Sequence, residues 1–149
     1  MSIIRVGTTY DAPPAQVWRV LEPIESHVDW MADAEIIRFT TDQTRGLGTR
    51  FECVTRIGPI RLTDKMSITA WEPDRSMGVE HEGLVTGSGQ FTLEPLDDGH
   101  RTRFTWEEEL TFPWWLAGPL GARVGGQTVM KRIWRGNLER LRRAVERAP

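Results

Sequence analysis

Three side chains that could transfer a proton occupy positions where the sequence pattern predicts apolar strand faces: Asp64, His81 and Glu108. Successive side chains of a β-strand point to opposite faces, so residues of one parity share a face. Asp64 then shares a face with Leu62 and Met66, and the other two also fall among apolar residues. Histidine titrates near neutrality, and a buried carboxyl group can act as an acid, so these residue types suit acid–base chemistry. They do not form a spacing-defined motif.

Two interpretations of these three residues remain open. In one, they form a polar site inside a cavity, where they orient a ligand or move protons. Gly87 and Gly89 lie on the strand expected between His81 and Glu108 and would leave room there. In the other, the three groups sit in water at the strand ends, because an ionised group is costly to bury unpaired. A β-bulge would also reverse their facing.

Other residues of catalytic type have simpler interpretations. His27 and Asp29 could be a catalytic pair, but a solvated helix surface is the commoner setting for them. His100 falls in a turn and is expected at the surface, and Cys53 is expected to be a small buried apolar residue. The sequence has no paired Cys/His spacing, phosphate-binding loop or GxSxG motif. We therefore predict no metal and no cofactor.

Seven tryptophans against one tyrosine indicate a thick core or a lined pocket. We expect Trp18, Trp30 and Trp71 in the core. Trp114 and Trp115 are adjacent, so both cannot face inward on a helix; one would cover the cavity mouth, touch a membrane surface, fill a homodimer contact or simply close the fold. The inward strand faces and the apolar helix stripe give the predicted ligand contacts, which are Phe51, Met66, Ile68, Val79, His81, Phe91, Phe104, Trp106, Glu108, Met130 and Trp134.

The elements that must position these side chains follow from hydrophobic periodicity and turn residues. A first strand precedes Asp11, which we expect to cap a short helix that begins at the following prolines, and a second short helix is expected over 24–31. The strands are predicted at 3–10 for the first and then at 35–41, 49–57, 60–71, 76–82, 85–96 and 101–110. From Leu120 onward apolar residues recur every three or four positions, which predicts a long amphipathic helix.

This order predicts one α+β domain over residues 1–149, in which a seven-stranded antiparallel sheet wraps a long C-terminal helix and leaves a hollow between them. The net charge of −2 gives no basic field for nucleic acid. The sequence starts without a signal-peptide pattern and contains no apolar run of membrane-spanning length, so a cytoplasmic location is expected.

The chain resembles the polyketide cyclase/dehydrase and lipid-transport family of the START-like (Bet v 1-like, SRPBCC) superfamily. The resemblance covers essentially the whole chain and rests on residues 10–18 (YDAPPAQVW), Trp30-Met31, the glycine turn 46–49 (GLGT) and residues 137–142 (NLERLR). It implies a helix-grip fold enclosing a cavity, and it carries no catalytic signature.

The resemblance leaves three functions open. The first is binding of a small hydrophobic ligand, either a lipid or a polyketide-like aromatic, in the internal cavity. The second is an aldol cyclase or dehydratase in which His81 or Glu108 moves protons. The third is a partner-binding module of the co-chaperone or ubiquinone-binding type, which would use Trp114 and Trp115.

Overall fold

The computed structural model describes residues 2–113 and 123–147, without the side chains of 123–126. Within these ranges a strand is followed by a short α-helix (Pro14–Leu21), a 3₁₀ helix (Ile24–Asp29), six more strands, and a C-terminal helix (Arg123–Arg147). The strands are β1 (Ser2–Tyr10), β2 (Ala34–Phe39), β3 (Arg50–Ile57), β4 (Ile60–Glu72), β5 (Ser76–Glu82), β6 (Thr86–Leu96) and β7 (Arg101–Thr111).

The seven strands form one antiparallel sheet in the order β1-β7-β6-β5-β4-β3-β2. Strands β2 to β7 follow one another as a meander, whereas β1 lies at the far edge and pairs with β7. The two short helices carry the chain from one edge of the sheet to the other. The predicted seven-stranded α+β helix-grip fold is confirmed, and each strand lies within two residues of its predicted bounds.

The C-terminal helix packs its apolar stripe on the concave face of the sheet. Buried residues recur along it every three or four positions, as an amphipathic helix requires. These residues are Met130, Trp134, Leu138, Leu141 and Val145. Together with the inward strand residues and the short helices they form one continuous core.

Hydrogen bonds fasten this helix to the N-terminal part of the chain. The Tyr10 hydroxyl donates to the carbonyl of Leu138 over 2.8 Å. The fully buried Asn137 accepts from the Ala32 amide at 2.9 Å and donates to the Asp33 carboxylate at 2.9 Å. These bonds fix the helix relative to the segment that follows the 3₁₀ helix, and so fix one wall of the space beneath it.

One local prediction is wrong, and one strand departs from strict alternation. Asp11 does not cap the first helix: Pro13 is its N-cap residue, and the Asp11 amide instead donates to Glu146. On β4, a bulge between Ile68 and Ala70 shifts the register against β5. An extra residue in one strand reverses the facing beyond it, so Trp71 packs on the core, as expected, although strict alternation would turn Ala70 inward instead.

Candidate functional site

A cavity of about 130 Å³ lies between the sheet and the C-terminal helix. An apolar cavity of about 150 Å³ is known to bind benzene, so this space holds a group of about one aromatic ring. Most of its wall is apolar. The predicted contacts that line it are Phe51, Met66, Ile68, Val79, His81, Phe91, Trp106, Glu108, Met130 and Trp134.

Phe104 is the one predicted contact that does not line the cavity. Its side chain is fully buried, with ring centroids 5.3 Å from Phe91 and 5.7 Å from Tyr10. Parity correctly placed Phe104 on the inward face, but the position along β7 puts it among core residues. Phe104 therefore supports the cavity wall instead of forming it.

Another part of the wall was not predicted as a ligand contact. It comes from the 3₁₀ helix, from the turn after it and from β2, and its residues are Ile24, His27, Met31, Asp33, Ala34 and Ile37. The apolar face shared by Ile24 and Met31 was the available signal for part of this set. Which face of the short helix meets the sheet depends on the path of the chain around the sheet edge, and periodicity does not give that path.

Asp64, His81 and Glu108 come together at the cavity wall. His81 Nδ1 lies 3.1 Å from Asp64 Oδ2, and His81 Nε2 lies 2.6 Å from Glu108 Oε1. His81 is 6% exposed and Glu108 is 7% exposed, while the Asp64 side chain is 13% exposed. The interpretation that these groups sit in water at the strand ends is therefore wrong; they form a buried carboxylate–histidine–carboxylate triad.

The triad spans four strands because β6 presents a glycine beneath it. Asp64 is on β4, His81 on β5 and Glu108 on β7, where Glu108 pairs with Gly89 of β6. A Cβ atom built on Gly89 would lie 2.6 Å from both Cγ and Oε1 of Glu108. The Glu108 side chain thus occupies the space that any side chain at position 89 would need, and reaches across β6 to His81.

The two carboxylates keep the His81 ring protonated. Burial acts to lower the pKa of His81, but the hydrogen bonds and charges of Asp64 and Glu108 outweigh burial and raise the pKa to about 10. At neutral pH both ring nitrogens therefore donate, one to each carboxylate. Two carboxylates and one imidazolium leave one negative charge uncompensated in the triad.

An aromatic stack connects the triad to the C-terminal helix. The Trp106 indole N–H donates to Glu108 Oε2 over 3.2 Å. The rings of Trp106 and Trp134 lie nearly parallel, at 5° and with centroids 4.2 Å apart. Glu108 is therefore held by a donor on each oxygen, and the sheet side of the cavity is coupled by packing to the helix side.

The second histidine of the cavity has the opposite character. His27 is 6% exposed, so the expectation of a solvated helix surface is wrong for this residue, whereas Asp29 is exposed. The His27 Nε2–H donates to the Leu21 carbonyl over 2.8 Å. Burial lowers the pKa of His27 to about 4, and that hydrogen bond only partly opposes the shift. His27 is a neutral group of the wall and has no partnership with Asp29.

Two further titratable groups line the cavity. Burial raises the pKa of the Asp33 carboxyl, against the hydrogen bond from Asn137. Burial also raises the pKa of the Cys53 thiol to about 11, so this residue is an unreactive apolar neighbour, as predicted. His100 is exposed in its turn, as predicted. Trp114 and Trp115 lie outside the described residues.

The triad is not arranged as a metal site. The two carboxylates bind opposite nitrogens of one ring, so the three groups do not converge on a common point. Across residues 2–113 and 123–147 no group of three or more His, Cys, Asp or Glu side chains could hold a metal ion. In the same ranges no helix is long and apolar enough to cross a membrane.

A seven-stranded sheet gripping one long helix around an apolar cavity defines a helix-grip protein of the Bet v 1-like class. Residues 1–146 match the family model described as polyketide cyclase/dehydrase and lipid transport. The chain belongs to this family. A search of curated protein sequences gives no match.

Solved structures show the same fold at low sequence identity. TTHA0849 from Thermus thermophilus has a TM-score of 0.79 at 19% identity, with 97% of each chain covered. The Zhui aromatase/cyclase from Streptomyces sp. R1128 has a TM-score of 0.78 at 19% identity, covering 98% of this chain and 94% of that one. Ara h 8.0201 has a TM-score of 0.69 at 13% identity, with 97% of each chain covered.

Proposed function

We propose that this protein binds a small hydrophobic ligand, a polyketide-like aromatic or part of a lipid, in the cavity between the sheet and the C-terminal helix. The observation that carries the proposal is the apolar cavity itself, closed on one side by a buried polar triad. Binding pockets for small molecules commonly combine an apolar wall with a few fixed polar groups. Family membership supports the same function.

The first test fills the cavity from the sheet side. Met66 lines the cavity, while its neighbour Lys65 is exposed on the other face of β4. We expect Met66→Trp to weaken binding of butylbenzene, measured by isothermal titration calorimetry, by at least about ten-fold, because the added ring takes up the space. The matched control Lys65→Trp introduces the same ring outside and should leave the affinity unchanged.

Circular dichroism of both variants separates loss of space from loss of fold. Native mass spectrometry of protein from its own host, followed by extraction, should release a stoichiometric apolar compound. The proposal is wrong if the wild-type protein binds no apolar probe and is isolated empty.

The triad favours a second candidate, an aldol cyclase or dehydratase acting on a poly-β-ketone. Such a reaction removes a proton from an α-carbon, joins that carbon to a ketone carbonyl, protonates the resulting alkoxide and then loses water. The Glu108 carboxylate would accept the first proton, and the His81 imidazolium would stabilise the nearby charge. Both groups are buried at the cavity wall, where such stabilisation is strongest.

A turnover assay distinguishes the two candidates. If the protein is a cyclase, a synthetic linear tri-β-ketone thioester should cyclise faster in its presence, and Glu108→Gln should lower kcat about a hundred-fold or more. Butylbenzene should still bind to that variant. A wild-type protein that binds the thioester without accelerating cyclisation is a carrier.

A cytoplasmic location, a single domain over 1–149 and a homodimer remain predictions from the sequence.

A further inference from the structure

The polar part of the cavity wall offers hydrogen-bond acceptors with excess negative charge. Among the described residues, Asp33, Asp64 and Glu108 line the cavity, and no lysine or arginine does. Both His81 ring nitrogens are taken up by carboxylates. Among the described residues, Asp64 Oδ1 receives no hydrogen bond, and the triad keeps one uncompensated negative charge.

The wall also contains one donor that has no acceptor. Trp134 lines the cavity and is 2% exposed, and its indole N–H has no partner among the described residues. A buried N–H without an acceptor is unfavourable, because it has lost its hydrogen bond to water and gained none in return. Trp134 stacks on Trp106, whose own N–H is bound to Glu108, and both tryptophans line the cavity together with Asp64 and Glu108. The other unpaired indole, Trp30, does not line the cavity.

We propose that the cavity selects a neutral ligand whose apolar body carries a hydroxyl group, such as a phenol or an enol, and rejects a carboxylate. This inference rests on the proposed binding function and names its ligand class. A hydroxyl has a hydrogen to donate to the unpaired acceptor of the triad and lone pairs that can accept from the Trp134 indole. A carboxylate has no hydrogen to donate and would face buried negative charge without a basic residue to pair with it.

The discriminating experiment uses small aromatics of nearly equal size on the wild-type protein at pH 7. 4-Propylphenol and 4-ethylanisole are isomers, and only the phenol can donate a hydrogen bond. 4-Ethylbenzoate carries a negative charge, and butylbenzene has no polar group. By isothermal titration calorimetry we expect 4-propylphenol to bind at least about ten-fold more tightly than 4-ethylanisole, as a hydrogen bond to a charged group allows, and 4-ethylbenzoate to show no binding.

Three variants test whether Glu108 and Trp134 cause the preference for the phenol over the anisole. Glu108→Gln removes the excess charge with little change of shape, and Trp134→Phe removes the N–H while keeping a ring. Each should reduce the ratio of phenol to anisole affinity at least about three-fold. Glu109→Gln changes a neighbouring carboxylate that is exposed on the outer face, and should leave the ratio unchanged. Because the ligand series is measured on wild-type protein, the test survives a variant that fails to fold.

The possible results distinguish a failure of this inference from a failure of the proposed binding function. A phenol preference that falls in Glu108→Gln or Trp134→Phe supports the inference. If the anisole or the benzoate binds as tightly as the phenol, the inference is wrong while cavity binding stands. If butylbenzene and all the others fail to bind, the proposed binding function is wrong and the inference falls with it.

Discussion

At the scale of single residues, the two cavity histidines differ because of what each ring nitrogen contacts. His81 lies between two carboxylates and has its pKa raised to about 10, although burial acts against this. His27 donates to a backbone carbonyl among apolar neighbours, and burial lowers its pKa to about 4. One histidine is therefore held as a cation and the other as a neutral ring, within the wall of the same cavity.

The raised pKa of His81 predicts that stability falls as the solution becomes alkaline. The folded state holds this proton up to about pH 10, whereas the unfolded chain releases it near 6.5. The stabilisation is complete below pH 6.5 and is lost as pH rises toward 10. We expect the free energy of unfolding in urea to decrease between pH 6.5 and 8.5, below the range where Cys53 contributes.

The variant His81→Gln should be less stable at pH 6.5 by about 3 kcal/mol or more, because two buried carboxylates lose their counter-charge. Its unfolding free energy should also vary less between pH 6.5 and 8.5. His100→Gln, at the exposed turn histidine, is the control. An unchanged slope in His81→Gln would show that the triad is not protonated as described.

The lowered pKa of His27 predicts the opposite slope on the acidic side. Here the unfolded chain takes up a proton near pH 6.5, while the folded state resists protonation down to about 4. The stabilisation is present above pH 6.5 and is lost as pH falls through 4. Urea unfolding between pH 4 and 6.5 should therefore show stability rising with pH, and His27→Gln should flatten this rise. A variant with the wild-type slope would contradict the assignment.

At the scale of elements, β6 is shaped to let Glu108 cross it. Gly89→Ala would place a methyl group 2.6 Å from Cγ and Oε1 of Glu108. We expect a loss of about 1–3 kcal/mol in urea unfolding, as for other overpacked sites. The displaced carboxylate should also weaken its bond to His81, so that the alkaline loss of stability becomes smaller. If the Gly89→Ala protein is as stable as wild type, Glu108 has another position available.

In the C-terminal helix, by contrast, replacing a glycine with alanine should stabilise the protein. Gly136 is exposed, and a Cβ atom there meets nothing within 4 Å. Alanine costs less conformational entropy than glycine inside a helix, so Gly136→Ala should stabilise the protein by about 0.5–1 kcal/mol. Thermal and urea unfolding measure the change, and a destabilised variant would indicate that this helix face packs on something.

The sequence was sufficient for the strands and their inward faces but not for contacts between them. Alternation placed Asp64, His81 and Glu108 on one face, yet their hydrogen bonds depend on the register of β4 to β7 and on the missing side chain at Gly89. His27 was misplaced because a helix of only six residues carries little periodicity. Trp71 lies against the core as expected, but alternation alone would not have placed it there, because the bulge adds a residue that no sequence pattern marks.

At the scale of the whole molecule, the sheet joins two strands, β1 and β7, that lie far apart in the sequence. Ser2 pairs with Leu110 and Tyr10 with Thr102, while β2 to β7 pair with their sequence neighbours. Long-range pairings form later than local ones, because a larger loop must close first. In refolding from urea, pulse-labelled hydrogen exchange should show β1 amides protected after those of the β4–β5 hairpin. Simultaneous or earlier protection of β1 would contradict this order.

The position of β1 also has a consequence during synthesis on the ribosome. Its partner β7 begins at Arg101, and at ~5–20 residues per second the ribosome needs roughly 5–20 s to reach that strand after finishing β1. During this interval Ile4, Val6 and Tyr10, which are buried in the folded protein, have no sheet to join. Strand β1 is thus made well before its partner, and until β7 has been synthesised these apolar side chains stay exposed to contacts with other chains.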